Sequence, residues 1–369
     1  MSKVLQRAIL PIWVGLLTLM FTVTVQATTS NPAYFIAADS DGVQQVYQVL
    51  IDGQSEPRQI TYTTSDVITF GVAYDGLAIA YMSEGQLWLQ PIHTEESQAL
   101  TAVQTAQFFS PPVFSPDGQY IAYADGGVWL MDLGTRETRQ LLVDVDLTGP
   151  DDPPSEFRRY EPQQFVLGPN GRVEKLVIDV GVWGWDSAGV YDLATGAFVE
   201  LEGQVHTNIL PLDGGFALVY GNTGVAGEPA LSIAPSLDQI NEAVEVLRFA
   251  DLTDEILFFE QAVEIAPQVV RVYGQTISQT PGDFGIFYFD YNLISGADAV
   301  NFITVAEPGQ ESARYGRLSP DGALLPVYVN PVYGDHGTIL GTLHLVDMVN
   351  GGILAVELPE AVGIWGWQS

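Results

Sequence analysis

The chain has 369 residues, 47% of them hydrophobic, enough to bury a large core. Acidic residues outnumber basic ones 45 to 13, a net charge of −32, and a surface of that sign repels phosphate backbones and anionic membrane faces, so a nucleic-acid partner is not expected. With no cysteine in the sequence, disulfides, a cysteine-borne lipid anchor and a thiol nucleophile are all excluded.

At the start of the chain, Lys3 and Arg7 precede an apolar run from Ala8 to Val25, and Val25-Gln26-Ala27 places small residues at the −3 and −1 positions of a cut. This layout predicts a secretory signal peptide over residues 1–27. Residues 28–369 are then a single secreted, periplasmic or cell-surface domain. Membrane attachment would come only through an uncleaved signal segment. Lys175 is the one lysine left after cleavage, and the acidity reads as solubility outside the cell or as adaptation to a salty habitat.

The next elements are short strands separated by tight turns. Tyr34 to Ala38 and Val46 to Ile51 flank a hairpin turn at Asp39-Ser40-Asp41-Gly42, and Arg58 to Thr61 follows as an edge. Asp75-Gly76 and Asp117-Gly118 lie 42 residues apart, each followed three residues later by Ile79-Ala80-Tyr81 or Ile121-Ala122-Tyr123. Then come Gly85 to Leu89 and Gly126 to Leu130, each with a Trp at its fourth position. Asp-Gly supplies the positive φ that a tight reversal needs, and β-branched and aromatic flanks suit a packed pleated surface. Four strands in about 42 residues is the size of a propeller blade. The full turn recurs as Leu318-Ser319-Pro320-Asp321-Gly322, followed by Leu343 to Met348 in the pattern of Val128 to Leu133. Weaker copies run from Leu167 to Gly171 and on to Val190-Tyr191-Asp192-Leu193, from Leu212 to Gly215, and from Gly285 to Asp290.

These residues resemble the TolB-like, WD-like propeller repeat, whose hallmark is a Ser-Pro-Asp-Gly turn and a third strand ending in aspartate. The resemblance implies an all-β, seven-bladed β-propeller, with six blades as the alternative. The blades fall at about 33–61, 65–101, 105–143, 157–203, 206–248, 252–305 and 311–358. The first copy begins in mid-unit, and Val362 to Ser369 reads as the missing inner strand. The C-terminal segment is therefore expected to close blade 1, removing two open edges. Inserted loops are expected at 144–160, 221–230, 261–284 and 329–341.

Candidate chemistry is sparse. Arg158, Arg159 and Tyr160 put two scarce cations beside an aromatic, an arrangement that suits an interface anchor. Trp183 and Trp185, in Gly181-Val182-Trp183-Gly184-Trp185, are echoed by Trp365 and Trp367, and alternation places each pair on one sheet face, as packing or as a stacking platform. Asp144, Asp146, Asp151 and Asp152 are calcium candidates, although their spacing is not that of an EF-hand loop. No other cofactor is implied. TolB-like propellers acting as lyases on acidic sugars use clustered histidines and a metal, whereas His93, His206, His336 and His344 show no metal-ligand spacing. The expected function is non-catalytic binding or scaffolding outside the cytoplasm, with a protein or cell-envelope component as partner and the protein itself a monomer. A metal-dependent lyase or hydrolase using the central channel, or a carbohydrate-binding propeller, is the alternative.

Overall fold

Seven small antiparallel sheets make up the computed structural model, which describes residues 32–51, 55–103, 110–145, 157–182, 185–201, 207–222, 228–252, 256–277, 284–304, 313–333, 339–354 and 362–367. All of them lie in the compact unit formed by residues 31–369. The expected signal peptide, residues 1–27, lies outside the described residues. No helix among the described residues is long and apolar enough to cross a membrane.

Blade 1 orders its strands as β29 (Val362–Trp367), β1 (Ala33–Ala38), β2 (Gln44–Val49) and β3 (Arg58–Gln59). Blade 2 follows with β4 (Thr69–Val72), β5 (Ala78–Ser83), β6 (Gln86–Pro91) and β7 (Gln98–Ala102). Blade 3 has β8 (Val113–Phe114), β9 (Tyr120–Ala124), β10 (Gly127–Asp132) and β11 (Thr138–Val143). In blade 4 these are β12 (Arg159–Leu167), β13 (Val173–Val182), β14 (Trp185–Asp192) and β15 (Phe198–Glu200). Blade 5 comprises β16 (Thr207–Pro211), β17 (Ala217–Asn222), β18 (Pro229–Ala234) and β19 (Val244–Arg248). Blade 6 contains β20 (Ile256–Ala266), β21 (Val269–Ile277) and β22 (Phe284–Asn292), with β23 (Gly296–Ala297) and β24 (Asn301–Thr304) both paired to β22. Blade 7 ends the series with β25 (Ala313–Tyr315), β26 (Leu324–Tyr333), β27 (Ile339–Asp347) and β28 (Gly352–Leu354).

The core sits between blades, because a four-stranded sheet buries its apolar faces only against neighbours. Each apolar cluster joins consecutive blades: Tyr34, Ile36 and Val46 meet Phe70, Ile79 and Tyr81 between blades 1 and 2, and Val177, Ala188 and Val190 meet Ile209, Ala217 and Val219 between blades 4 and 5. The last cluster returns the ring to its start, placing Tyr328 and Leu345 of blade 7 against Ala33, Phe35 and Val49 of blade 1.

Closure is made by β29 as expected, antiparallel to β1, with Trp367 opposite Ala33, Gly366 opposite Tyr34 and Trp365 opposite Phe35. Inner strands approach one another closely around the axis. A Cβ on Gly71 of β4 would lie 1.8 Å from the Pro112 carbonyl oxygen, and one on Gly366 would lie 3.0 Å from the Phe70 ring.

Two expected loops are strands. Residues 261–277 complete β20 and make up the whole of β21, and residues 329–333 extend β26. The hairpin joining β20 to β21 turns at Pro267-Gln268, with Gln268 at φ +63° in place of a glycine, so the usual turn signal is missing. The flanking Val263, Ile265, Val269, Val270 and Val272 supply the β-branched surface that extends both strands.

Candidate functional site

The inner strands surround a cavity of about 450 Å³, lined among others by Gln163 and Asp179 of blade 4, Asn208 of blade 5, Gln261 and Glu264 of blade 6, and Arg317. An adjoining cavity of about 170 Å³ shares Gln163, Gln261 and Arg317 and is also lined by Gly366 and Trp367. Together they occupy the axial channel, where several blades face a common space.

Backbone irregularity aims these side chains. A β-bulge at Gln163 interrupts the register of β12 with β13, and another at Glu260 does the same for β20 with β21. Such a bulge inserts one residue and redirects the side chains around it.

Arg317 is presented from a backbone held on three sides. Trp367 Nε1 donates to the Arg317 carbonyl (2.7 Å), the Leu318 N–H donates to Gln261 Oε1 (2.8 Å), and Tyr273 Oη donates to the Gly316 carbonyl (3.0 Å). Its side chain is exposed to the channel. The guanidinium donates to Gln163 Oε1 (3.1 Å) and makes no ion pair with any described residue. By contrast, Lys175 pairs with Asp192 and Asp238, and Arg271 with Asp290.

Gln163 is a bridge, since its Nε2 donates to Asp179 while its Oε1 accepts from Arg317. Asp179 stands directly opposite Glu161 across β12 and β13. Burial pushes the Asp179 carboxyl up to about 7; the charges of Glu161 and Asp186 push the same way, and Arg317 opposes them. Burial likewise raises Glu161, with Asp144 adding to the effect and Arg317 and Arg159 counteracting it. The site thus combines one exposed guanidinium, several amides, and a carboxyl able to change charge near neutrality.

The residues singled out in the sequence lie elsewhere. Arg158 pairs with Glu200 (3.2 Å) and Arg159 with Asp144 (3.3 Å), while the Arg159 guanidinium stacks 5.4 Å from the Phe157 ring centroid. Tyr160 packs edge-on against Phe198, and its N–H donates to Asp144 Oδ1 (3.0 Å). Both Asp144 oxygens therefore have protein partners. Asp146, Asp151, Asp152 and Trp183 lie outside the described residues, as does the Trp185 side chain, whose backbone opens β14 opposite Val182. Among the described residues, no three His, Asp or Glu side chains are grouped so as to hold a metal ion. His93 lies in blade 2 and His344 on β27, while His206 and His336 are outside the described residues.

No protein-family model matches the sequence, and no curated protein sequence matches it. Solved structures share its fold. One, from a study of two prolyl endopeptidases and their inter-domain dynamics, is 11% identical, covers 91% of this chain and 48% of its own, and has a TM-score of 0.58. This chain thus spans about half the length of that enzyme. TolB from Acinetobacter baumannii is 14% identical over 92% of this chain and 67% of its own, with a TM-score of 0.49. An oligogalacturonate lyase in complex with manganese is also 14% identical, over 87% of this chain and 82% of its own, with a TM-score of 0.48. Identities this low speak for architecture alone. The seven-bladed propeller expected from the TolB-like repeats is the architecture observed.

Proposed function

We propose that the protein is a non-catalytic binding propeller that works outside the cytoplasm and holds a small polar ligand in its axial channel. The observation that carries this reading is the 450 Å³ cavity, into which Arg317 extends a guanidinium without an ion-pair partner among the described residues. A pocket of some 300–1,000 Å³ with a few convergent polar groups suits a small molecule. The backbone bonds around Arg317 fix the site before any ligand arrives, which lowers the ordering cost of binding. The signal-peptide layout of residues 1–27 and the high negative charge support an extracytoplasmic setting.

Native mass spectrometry tests the reading. Protein incubated with small molecules from the culture medium and then desalted should retain a bound mass. An Asn208→Trp variant, which fills the cavity from β16, should retain none while melting like the parent. Equal retention by both proteins, or retention by neither, would sink the proposal.

A further inference from the structure

Resting on that channel reading, we propose that the cavity binds a small organic carboxylate on Arg317, and that this anion competes with the negative charge of Asp179 for the guanidinium. In a chain of net charge −32, Arg317 lines the cavity with a guanidinium that makes no ion pair among the described residues, so it is the local group that attracts an anion. A planar guanidinium matches a carboxylate with two parallel hydrogen bonds. Gln163 occupies only one donor of the Arg317 fork, and Gln164, Asn208 and Gln261 line the same space with amides that suit hydroxyl or amide groups on the remainder of the ligand.

Asp179 is the built-in competitor. It shares Gln163 with Arg317 and feels the guanidinium electrostatically, yet does not pair with it. The groups facing this pair from every packed element are Glu161 on β12, Asp186 on β14, Tyr220 on β17 and Arg317 itself. Burial keeps the Tyr220 phenol protonated well above the ordinary tyrosine range. Asp213 and Glu264 stand at the cavity wall, where Glu264 accepts the N–H groups of Asp213 (2.7 Å) and Gln268 (2.9 Å).

Above neutrality Asp179 is ionised, partly cancels Arg317 and repels an incoming anion. Below neutrality it takes up a proton while a typical ligand carboxylate stays ionised down to about pH 4, so affinity rises as pH falls through about 7.

Calorimetric titration of the full protein with succinate, tartrate and the uncharged diamide of succinate, at about pH 5.5 and about pH 8, tests this. We expect one or both carboxylates to bind, the diamide not to bind, and affinity to be about tenfold higher at the lower pH. Arg317→Gln should abolish binding with an unchanged melting temperature, and Asp179→Asn should bind as tightly at the higher pH as the parent does at the lower. Failure of both carboxylates to bind at millimolar concentrations, equal binding of the diamide, or full binding by Arg317→Gln overturns the assignment. A pH dependence that survives in Asp179→Asn overturns the competition. If native mass spectrometry still shows a channel-bound mass when both carboxylates fail, the ligand class is wrong and the channel reading stands.

Discussion

Ser115 and Ser319, 204 residues apart, hold the same set of hydrogen bonds. Each buried hydroxyl donates to the aspartate two residues on (Asp117 or Asp321, 2.6 Å in both) and accepts the N–H groups four and five residues on, at 3.1 and 2.8 Å. The glycine of each turn sits at φ +68° or +67°. The Ser-Pro-Asp-Gly motif is therefore a polar knot in which the serine, the aspartate and the glycine each have a task, which is why it could be read from sequence. Ser319→Ala removes the acceptor of the Leu324 N–H, while the Ala323 N–H keeps Asp321 Oδ1, and should lower unfolding free energy by about 1–3 kcal/mol, measured by urea denaturation. Ser115→Ala should cost a similar amount, additively in the double variant, because the sites are remote. The aspartate ending the third strand is equally explicable: Asp132, Asp192 and Asp347 each accept the N–H groups two and three residues on. In blade 6 the sequence pattern pointed to Asp290, but Asn292 accepts those bonds (2.8 and 3.1 Å) and Asp290 pairs with Arg271 instead. An amide oxygen caps a turn as a carboxylate does, so the role survived a change of letter that hid it.

Strands were legible wherever Asp-Gly or Asn-Gly marked the reversal, and obscure where another residue turned the chain. Gln268 at positive φ concealed the hairpin of β20 and β21, the pair that also carries the Gln261 bulge region into the channel. Bulges leave no fixed residue signature, so the placement of Gln163 was invisible in the sequence although the strand around it was not. Glycine in an inner strand has a packing role: at Gly71 it permits contact with blade 3. Gly71→Ala forces the Pro112 backbone to move and should destabilise the protein by about 1–3 kcal/mol by overpacking. Gly352→Ala, where an added Cβ meets nothing within 4 Å, is the matched control and should leave the thermal midpoint in place.

At the scale of the ring, the repeats pointed to seven sheets, with six as the alternative, and to their closure, because most units carry their own turn and apolar alternation. The channel site had no such announcement. Arg317, Gln163 and Asp179 come from blades 4 and 7 or their approaches, with 154 residues between Gln163 and Arg317, and only a closed circle brings them together. Closure itself is testable: deleting residues 362–369 removes the partner of β1 and the Trp367 bond to Arg317, and should lower the melting temperature by about ten degrees or more in calorimetry. An unchanged midpoint would show that β29 contributes little. Since blade 1 draws its innermost strand from the far end of the chain, a nascent polypeptide emerges as an open arc. The backbone of β1 then stays unpaired on one side until the final segment arrives, through nearly the whole time of synthesis. In that interval Tyr34 and Phe35 offer a sticky border to other unfinished copies, so newly made protein has most to gain from a chaperone just before its last strand appears.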